Sequence, residues 1–199
     1  KINVSDPIKN HFLTKAGSIN FKLMIGKDPG SMKLIQLSMI KDIESDADKR
    51  YVRTDSNGNA LIQNLKPGAY FVRVSDIPGF ANYDNTLYVQ EDTELAQSIV
   101  LIPGLSIKGR VLNTNNIPAN SGEVFLDFDQ YLKFSQKVYL NSDGFFEFKN
   151  VNPGKHVVKI HYGVVDKGKF TENITVDINV PDFVNNGKGV YQINDIIVK

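Results

Sequence analysis

The stretch from Thr54 to Val74 reads TDSNGNALIQNLKPGAYFVRV, and the stretch from Leu140 to Ile160 reads LNSDGFFEFKNVNPGKHVVKI. Gly58 and Gly144 lie 86 positions apart. At that one offset Ser56 meets Ser142, Asn64 meets Asn150, Pro67–Gly68 meets Pro153–Gly154, and Val72 meets Val158. A phrase repeated at fixed spacing constrains a fold strongly, because it means that one supersecondary unit is built twice. In a chain of 199 residues it implies two modules, each of roughly 90 residues.

The phrase is made of turns and short alternating runs. Asn57–Gly58 is a dipeptide that supports the positive φ angles of a tight hairpin turn. Ala60 to Asn64 reads as a short strand, and Lys66–Pro67–Gly68 as a second turn, with proline presetting φ and glycine supplying freedom. In the strand that follows, Tyr70, Val72 and Val74 point one way, and Phe71, Arg73 and Ser75 the other. Gly58, Pro67, Gly68, Gly144, Pro153 and Gly154 are therefore structural turn residues.

The rest of the chain punctuates in the same way. SINFKLMI alternates as a strand and GKDPGS closes it. MKLIQLSMIKDI fits both periods in part, and the flanking turns favour a strand. Glu44 to Arg50 reads as a charged loop, IPGFANYDN as another loop, and TLYV and AQSIVLIP as strands. Pro103–Gly104 is the natural seam, after which LSIKGRVLNTNNIPANSGEVFLDF begins afresh. The expected organisation is a lead-in at 1–16 and two β-sandwich modules in series at 17–103 and 104–199. A seam so short predicts a stiff junction around Leu101 to Leu105, with Ile102 and Leu105 buried between the modules.

Composition narrows the role by exclusion. With 23 basic and 22 acidic residues the net charge is +1, and no basic run is flanked by aromatics, so nucleic acid is not an expected partner. No apolar run approaches the roughly 20 residues that span a bilayer. The chain has no cysteine, which excludes thiolate catalysis, disulfides and cysteine-ligated metals and leaves the redox compartment undecided.

At the repeated phrase the chain resembles the prealbumin-like, or transthyretin-like, β-sandwich modules called carboxypeptidase regulatory-like domains, and their relatives the Cna B-type repeats. The family's recurring pattern of a D-x-x-G turn, a short strand, an apolar residue, P-G and a tyrosine-bearing strand is met by Asp55, Gly58, Leu65, Pro67, Gly68 and Tyr70. In the second copy Asn141, Gly144, Val151, Pro153, Gly154 and His156 stand in. The resemblance implies an all-β fold of two tandem prealbumin-like (Ig-like) sandwiches. Cna B-type modules often carry a Lys–Asn isopeptide bond assisted by a buried glutamate. Val74 and Ile160 hold that glutamate's place, and an apolar side chain relays no proton, so neither Lys22 nor Lys108 is expected to form one.

Other chemistry is thinly supported. His156 and His161 are five apart on one strand and face opposite sides, which argues against a shared metal; His156 replaces a core or rim tyrosine. DSNGN at Asp55 lacks the later glutamate of a calcium loop. Asp127 and Asp129 share a strand face and read as a solvated edge. Tyr83, Tyr88 and Tyr131 are candidates for an exposed platform that would stack on a glycan. No catalytic residue, cofactor or metal is expected.

The expected role is a non-catalytic extracellular pair of modules, a structural spacer or adhesive stalk of a larger bacterial cell-envelope protein. Expected partners are other domains of that chain, with a glycan or a host or cell-surface protein as further candidates, at the cell surface, outside the cell or in the periplasm. The alternatives are a carbohydrate-binding accessory module of a secreted polysaccharide-acting enzyme, or a regulatory domain of a peptidase.

Overall fold

The computed structural model describes residues 15–40, 49–127, 136–166, 169–181 and 189–198, with side chains left aside at 164–172. The described residues are almost all strand and contain no α-helix. They build two sandwiches of two sheets each.

In the first sandwich, β1 (Gly17–Ile25) lies between β5 (Asn59–Leu65) and β8 (Glu94–Leu101), and the two-residue β2 (Asp28–Pro29) pairs with its end. The facing sheet runs β4 (Lys49–Arg53), β3 (Leu34–Met39), β6 (Gly68–Val74), β7 (Tyr83–Val89). β1 and β8 run parallel from Ser18↔Glu94 to Ile25↔Leu101, so the first and last strands lie side by side. Alternation explains the sandwich: Ile19, Phe21 and Leu23 from one sheet meet Leu37, Tyr70, Val72 and Val74 from the other in one buried cluster. Fully burying each such side chain contributes roughly 1.5–3 kcal/mol.

The second sandwich repeats the plan. β9 (Leu105–Asn113) lies between β12 (Phe145–Val151) and the pair β15 (Val190–Gln192) and β16 (Ile196–Val198). The facing sheet runs β11 (Gln136–Tyr139), β10 (Gly122–Leu126), β13 (Gly154–Asp166), β14 (Lys169–Val180). Its core gathers Leu105, Ile107, Val124, Phe146, Phe148, Val158 and Ile160. The last strand is broken: Lys108 pairs with Gln192 and Val111 with Ile196, so Ile193–Asp195 carry one residue more than β9 does.

The repeated phrase is not a hairpin, as its turn residues suggest. β5 pairs with β1 and β6 with β3, so each turn carries the chain from one sheet to the other. Only Gly58 of the Asn57–Gly58 dipeptide has positive φ, at +79°, and Gly144 matches it at +76°. The loop is a three-residue one. The Asp55 carboxylate accepts the N–H groups of Asn57 and Asn59 at 2.8 Å each, and the Gly58 N–H reaches the Asp55 carbonyl at 3.1 Å. In the second copy the Asn141 side-chain oxygen accepts from Asp143 and Phe145 at 3.0 and 2.8 Å. Asn64 and Asn150, the repeated asparagines, both take φ +58° at a register shift of the opening sheet. Asparagine tolerates this left-handed region better than most residues do.

Two boundaries also differ from the sequence reading. Lys49 and Arg50 belong to β4 rather than to a charged loop, and Tyr83 to Asn85 belong to β7 rather than to the loop before it. Cross-strand bonding to β3 and β6 supplies partners that no local propensity reveals.

Candidate functional site

Of the candidate platform tyrosines, the described pair Tyr83 and Tyr88 does not share a face. Tyr83 and Tyr88 lie five apart on β7 and so project to opposite faces. Tyr88 is 72% exposed, whereas Tyr83 packs against the first core and its hydroxyl accepts from Asn85 at 2.9 Å and Gln97 at 3.3 Å. Tyr131 lies outside the described residues, as does Asp129. Two other rings stand out instead. Tyr139 on β11 and Phe145 on β12 are exposed and line one groove of about 410 Å³ with Lys108, Asn141, Glu147 and Gln192. Each ring already has a cation against it, Lys137 at Tyr139 and Arg110 at Phe145.

The lysines considered for covalent chemistry face outward. Lys22 Nζ donates to the Asn57 carbonyl at 2.8 Å on the exposed side of β1, and Lys108 approaches Glu147 at 3.7 Å. Val74 and Ile160 are buried. Pairing aligns Lys22 with Arg110 rather than Lys108, because Lys22 faces Asn59 and Arg110 faces Phe145. Arg110 does the same task as Lys22, donating to the Asp143 carbonyl at 3.0 Å. No group of three potential metal ligands occurs among the described residues.

Hydrogen bonds between the modules gather at the seam. Leu101 ends β8 inside the first core and Leu105 begins β9 inside the second, leaving three residues between. The loop at Gly79–Asn82 lies along that link. Gly104 N–H donates to the Gly79 carbonyl at 3.0 Å, Ala81 N–H to Ile102 at 2.9 Å, and Phe80 bridges to Pro103. The same loop reaches the second module: Asn82 N–H donates to the Asn150 carbonyl at 3.0 Å, and the Asn152 side-chain amide donates to the Asn82 carbonyl at 3.0 Å. A Cβ on Gly104 would lie 2.8 Å from backbone atoms of Phe80, Ala81 and Asn150 alike. Backbones of both modules meet there, so only glycine fits.

Ile102 is 44% exposed, not buried between the modules as its apolar character suggests. Hydrogen-bonded main chain, rather than an apolar plug, holds the junction. The Phe80–Asn82 stretch is legible as part of a loop, but its part at the seam is not, because that depends on a contact 70 residues away between Asn82 and Asn152.

Beside this contact sits His156. In the first module Tyr70 donates its hydroxyl to the Lys66 carbonyl at 2.9 Å. His156 holds the matching place, with Nε2 at 2.7 Å from the Asn152 carbonyl. Its Nδ1 lies 2.6 Å from Asp127 Oδ2, while Asp127 Oδ1 accepts the Val157 N–H at 2.9 Å. Asp127 thereby ends the β10–β13 ladder with its side chain, its own φ being +53°. Its hydrogen bond raises the His156 pKa above the ordinary value, against the effect of burial, with a smaller contribution from the Asn152 carbonyl. Across the cleft, Arg73 and Asp84 of the first module form a two-pronged ion pair at 2.7 and 2.8 Å.

No family model matches this chain, and no curated protein does. Among solved structures it is similar to the Bacillus anthracis TIE protein, at 16% identity and TM-score 0.37, over 90% of this chain and 33% of that one. It is similar to a streptococcal ancillary pilin at 14% and 0.37, over 91% and 62%. It is also similar to BcpA, the major pilin subunit of Bacillus cereus, at 8% and 0.36, over 90% and 99%. The chain thus spans a third of the length of the first and less than two thirds of the second. Identities and scores this low transfer no role, and the functional reading rests on the chain's own geometry.

Proposed function

We propose that this chain is a non-catalytic structural spacer or stalk segment of a larger bacterial cell-envelope protein, with partners among the other domains of that protein. The observation that carries this reading is the seam, where a three-residue link is hydrogen-bonded along the Gly79–Asn82 loop and that loop is bonded onward to Asn150 and Asn152. A freely jointed pair has no use for such bonds. Each contributes only about 0.5–1.5 kcal/mol, yet together they remove the torsions through which two domains would swing. Residues 17–103 and 104–199 are the two modules on this reading, at the cell surface, outside the cell or in the periplasm.

X-ray scattering from the intact chain tests it. One conformation should fit the whole curve, whereas a curve that needs an ensemble of module orientations would refute the spacer.

A second reading, glycan binding, is favoured by the groove that holds Tyr139 and Phe145 between two sheet edges. Sugar C–H faces would stack on the rings while Asn141, Glu147 and Gln192 meet hydroxyl groups. A glycan array separates the two. The spacer returns no specific binding; a specific glycan lost in Tyr139→Ala would replace it with the binding module.

A further inference from the structure

We propose that the seam is a proton-set joint, in which doubly protonated His156 locks the Asn150–Asn152 turn onto the first module and loss of its proton loosens the two modules. This rests on the reading of the chain as a stiff spacer.

Both ring nitrogens of His156 face acceptors: the Asp127 carboxylate at 2.6 Å and the Asn152 carbonyl at 2.7 Å. A neutral imidazole has one N–H and one lone pair. Either tautomer therefore sets a lone pair against an oxygen at hydrogen-bond distance. Only the imidazolium satisfies both contacts, and the imidazole itself is 9% exposed, although the Asp127 side chain keeps half its surface open to solvent.

Asn152 carries the effect across the seam. Its carbonyl accepts from His156, and its side-chain amide donates to the Asn82 carbonyl of the first module. Asn82 N–H in turn holds Asn150, two residues away. When one tautomer repels the Asn152 carbonyl, the turn that grips Asn82 loses its anchor. The first module contains its own control: Tyr70 makes the matching bond to Lys66 with a phenolic hydroxyl instead of an imidazole N–H.

Among the described residues, the charged groups facing His156 are Asp127 from its own module and the Arg73–Asp84 pair from the first. Arg73 and Asp84 neutralise one another, so Asp127 sets the local sign and favours the cation. The folded pKa is raised. The stabilisation is therefore complete below the unfolded value and is lost as pH rises through the folded one. The open population of the seam grows roughly tenfold for each unit by which the value in the docked pair exceeds that in the undocked second module.

The chain has no native cysteine, so Tyr88→Cys and Tyr139→Cys place one spin label on an exposed site of each module in the intact protein. The distance distribution should be narrow at pH 5.5 and broaden by pH 9. By NMR, the Asn82 amide shift should titrate with the midpoint of the His156 ring. In His156→Tyr both changes should vanish. A narrow distribution at both pH values with a flat Asn82 shift overturns the joint and leaves the spacer standing. A broad distribution at both values overturns the spacer and the joint with it. The wild-type NMR titration decides the matter even if His156→Tyr does not fold.

Discussion

Tyr70 and His156 hold one place in two copies of a phrase, and the contrast shows how a single side chain sets local chemistry. Gly58 and Gly144 show the opposite, a place that admits one residue. Their φ angles are +79° and +76°, and a Cβ would meet the Leu23 carbonyl oxygen at 2.3 Å in one copy and that of Val111 at 2.4 Å in the other. Those carbonyls belong to the opening strands β1 and β9, which cannot retreat without leaving their sheets. Gly58→Ala should therefore destabilise the first module by about 3 kcal/mol or more, strain and collision together. A urea midpoint within error of wild type would contradict that geometry. The two tyrosines of β7 should separate cleanly in the same assay. Tyr88→Ala should stay within about 0.5 kcal/mol, as exposed positions do. Tyr83→Ala should cost about 2 kcal/mol or more, because it leaves a hole beside the first core and removes the acceptor of Asn85 and Gln97.

At the level of strands, the two cores place one large ring on opposite partners of a pair. Phe21 on β1 faces Ala60 on β5, whereas Gly109 on β9 faces Phe146 on β12. The ring crosses from one strand to the other, and a Cβ on Gly109 would lie 2.3 Å from the Phe146 ring. Phe146→Ala should cost about 3–5 kcal/mol as a cavity. Gly109→Phe alone should cost about 1–3 kcal/mol by overpacking. The double variant should recover most of the loss, and a strictly additive cycle in urea melts would refute the exchange. Such compensation was invisible at the repeat's offset of 86, because Lys22 aligns with Arg110, two positions further on. The all-β fold class was legible, since turn dipeptides and alternation are local properties. Sheet membership was not: the same turns serve a hairpin or a crossing between sheets, and only pairing with distant β1 and β3 decides. Candidate sites were less legible still. Tyr83 and Tyr88 could be assigned to opposite faces from spacing alone once Tyr83 was known to be strand, but its loop-like neighbours Asn82, Asp84 and Asn85 hid that. The seam's glycine could be marked as punctuation, while the need for its missing Cβ comes from Phe80, Ala81 and Asn150 closing on it.

At the scale of the whole molecule, a stiff spacer makes the link between cores a structural element rather than a tether. Leu101 and Leu105 fix its ends, the Gly79–Asn82 loop fixes its middle, and Asn150 and Asn152 fix the loop. Gly104→Ala should pry these backbones apart without disturbing either core, leaving the unfolding of each module nearly unchanged. Residual dipolar couplings measured on the intact wild-type chain at pH 5.5 read the orientation of the two modules directly. Amides of β1, β5 and β8 and amides of β9, β12 and β13 should fit a single alignment tensor of one magnitude, and Gly104→Ala should split it. Separate tensors of unequal magnitude in the wild type would mean that the modules swing independently, contradicting the stiff seam.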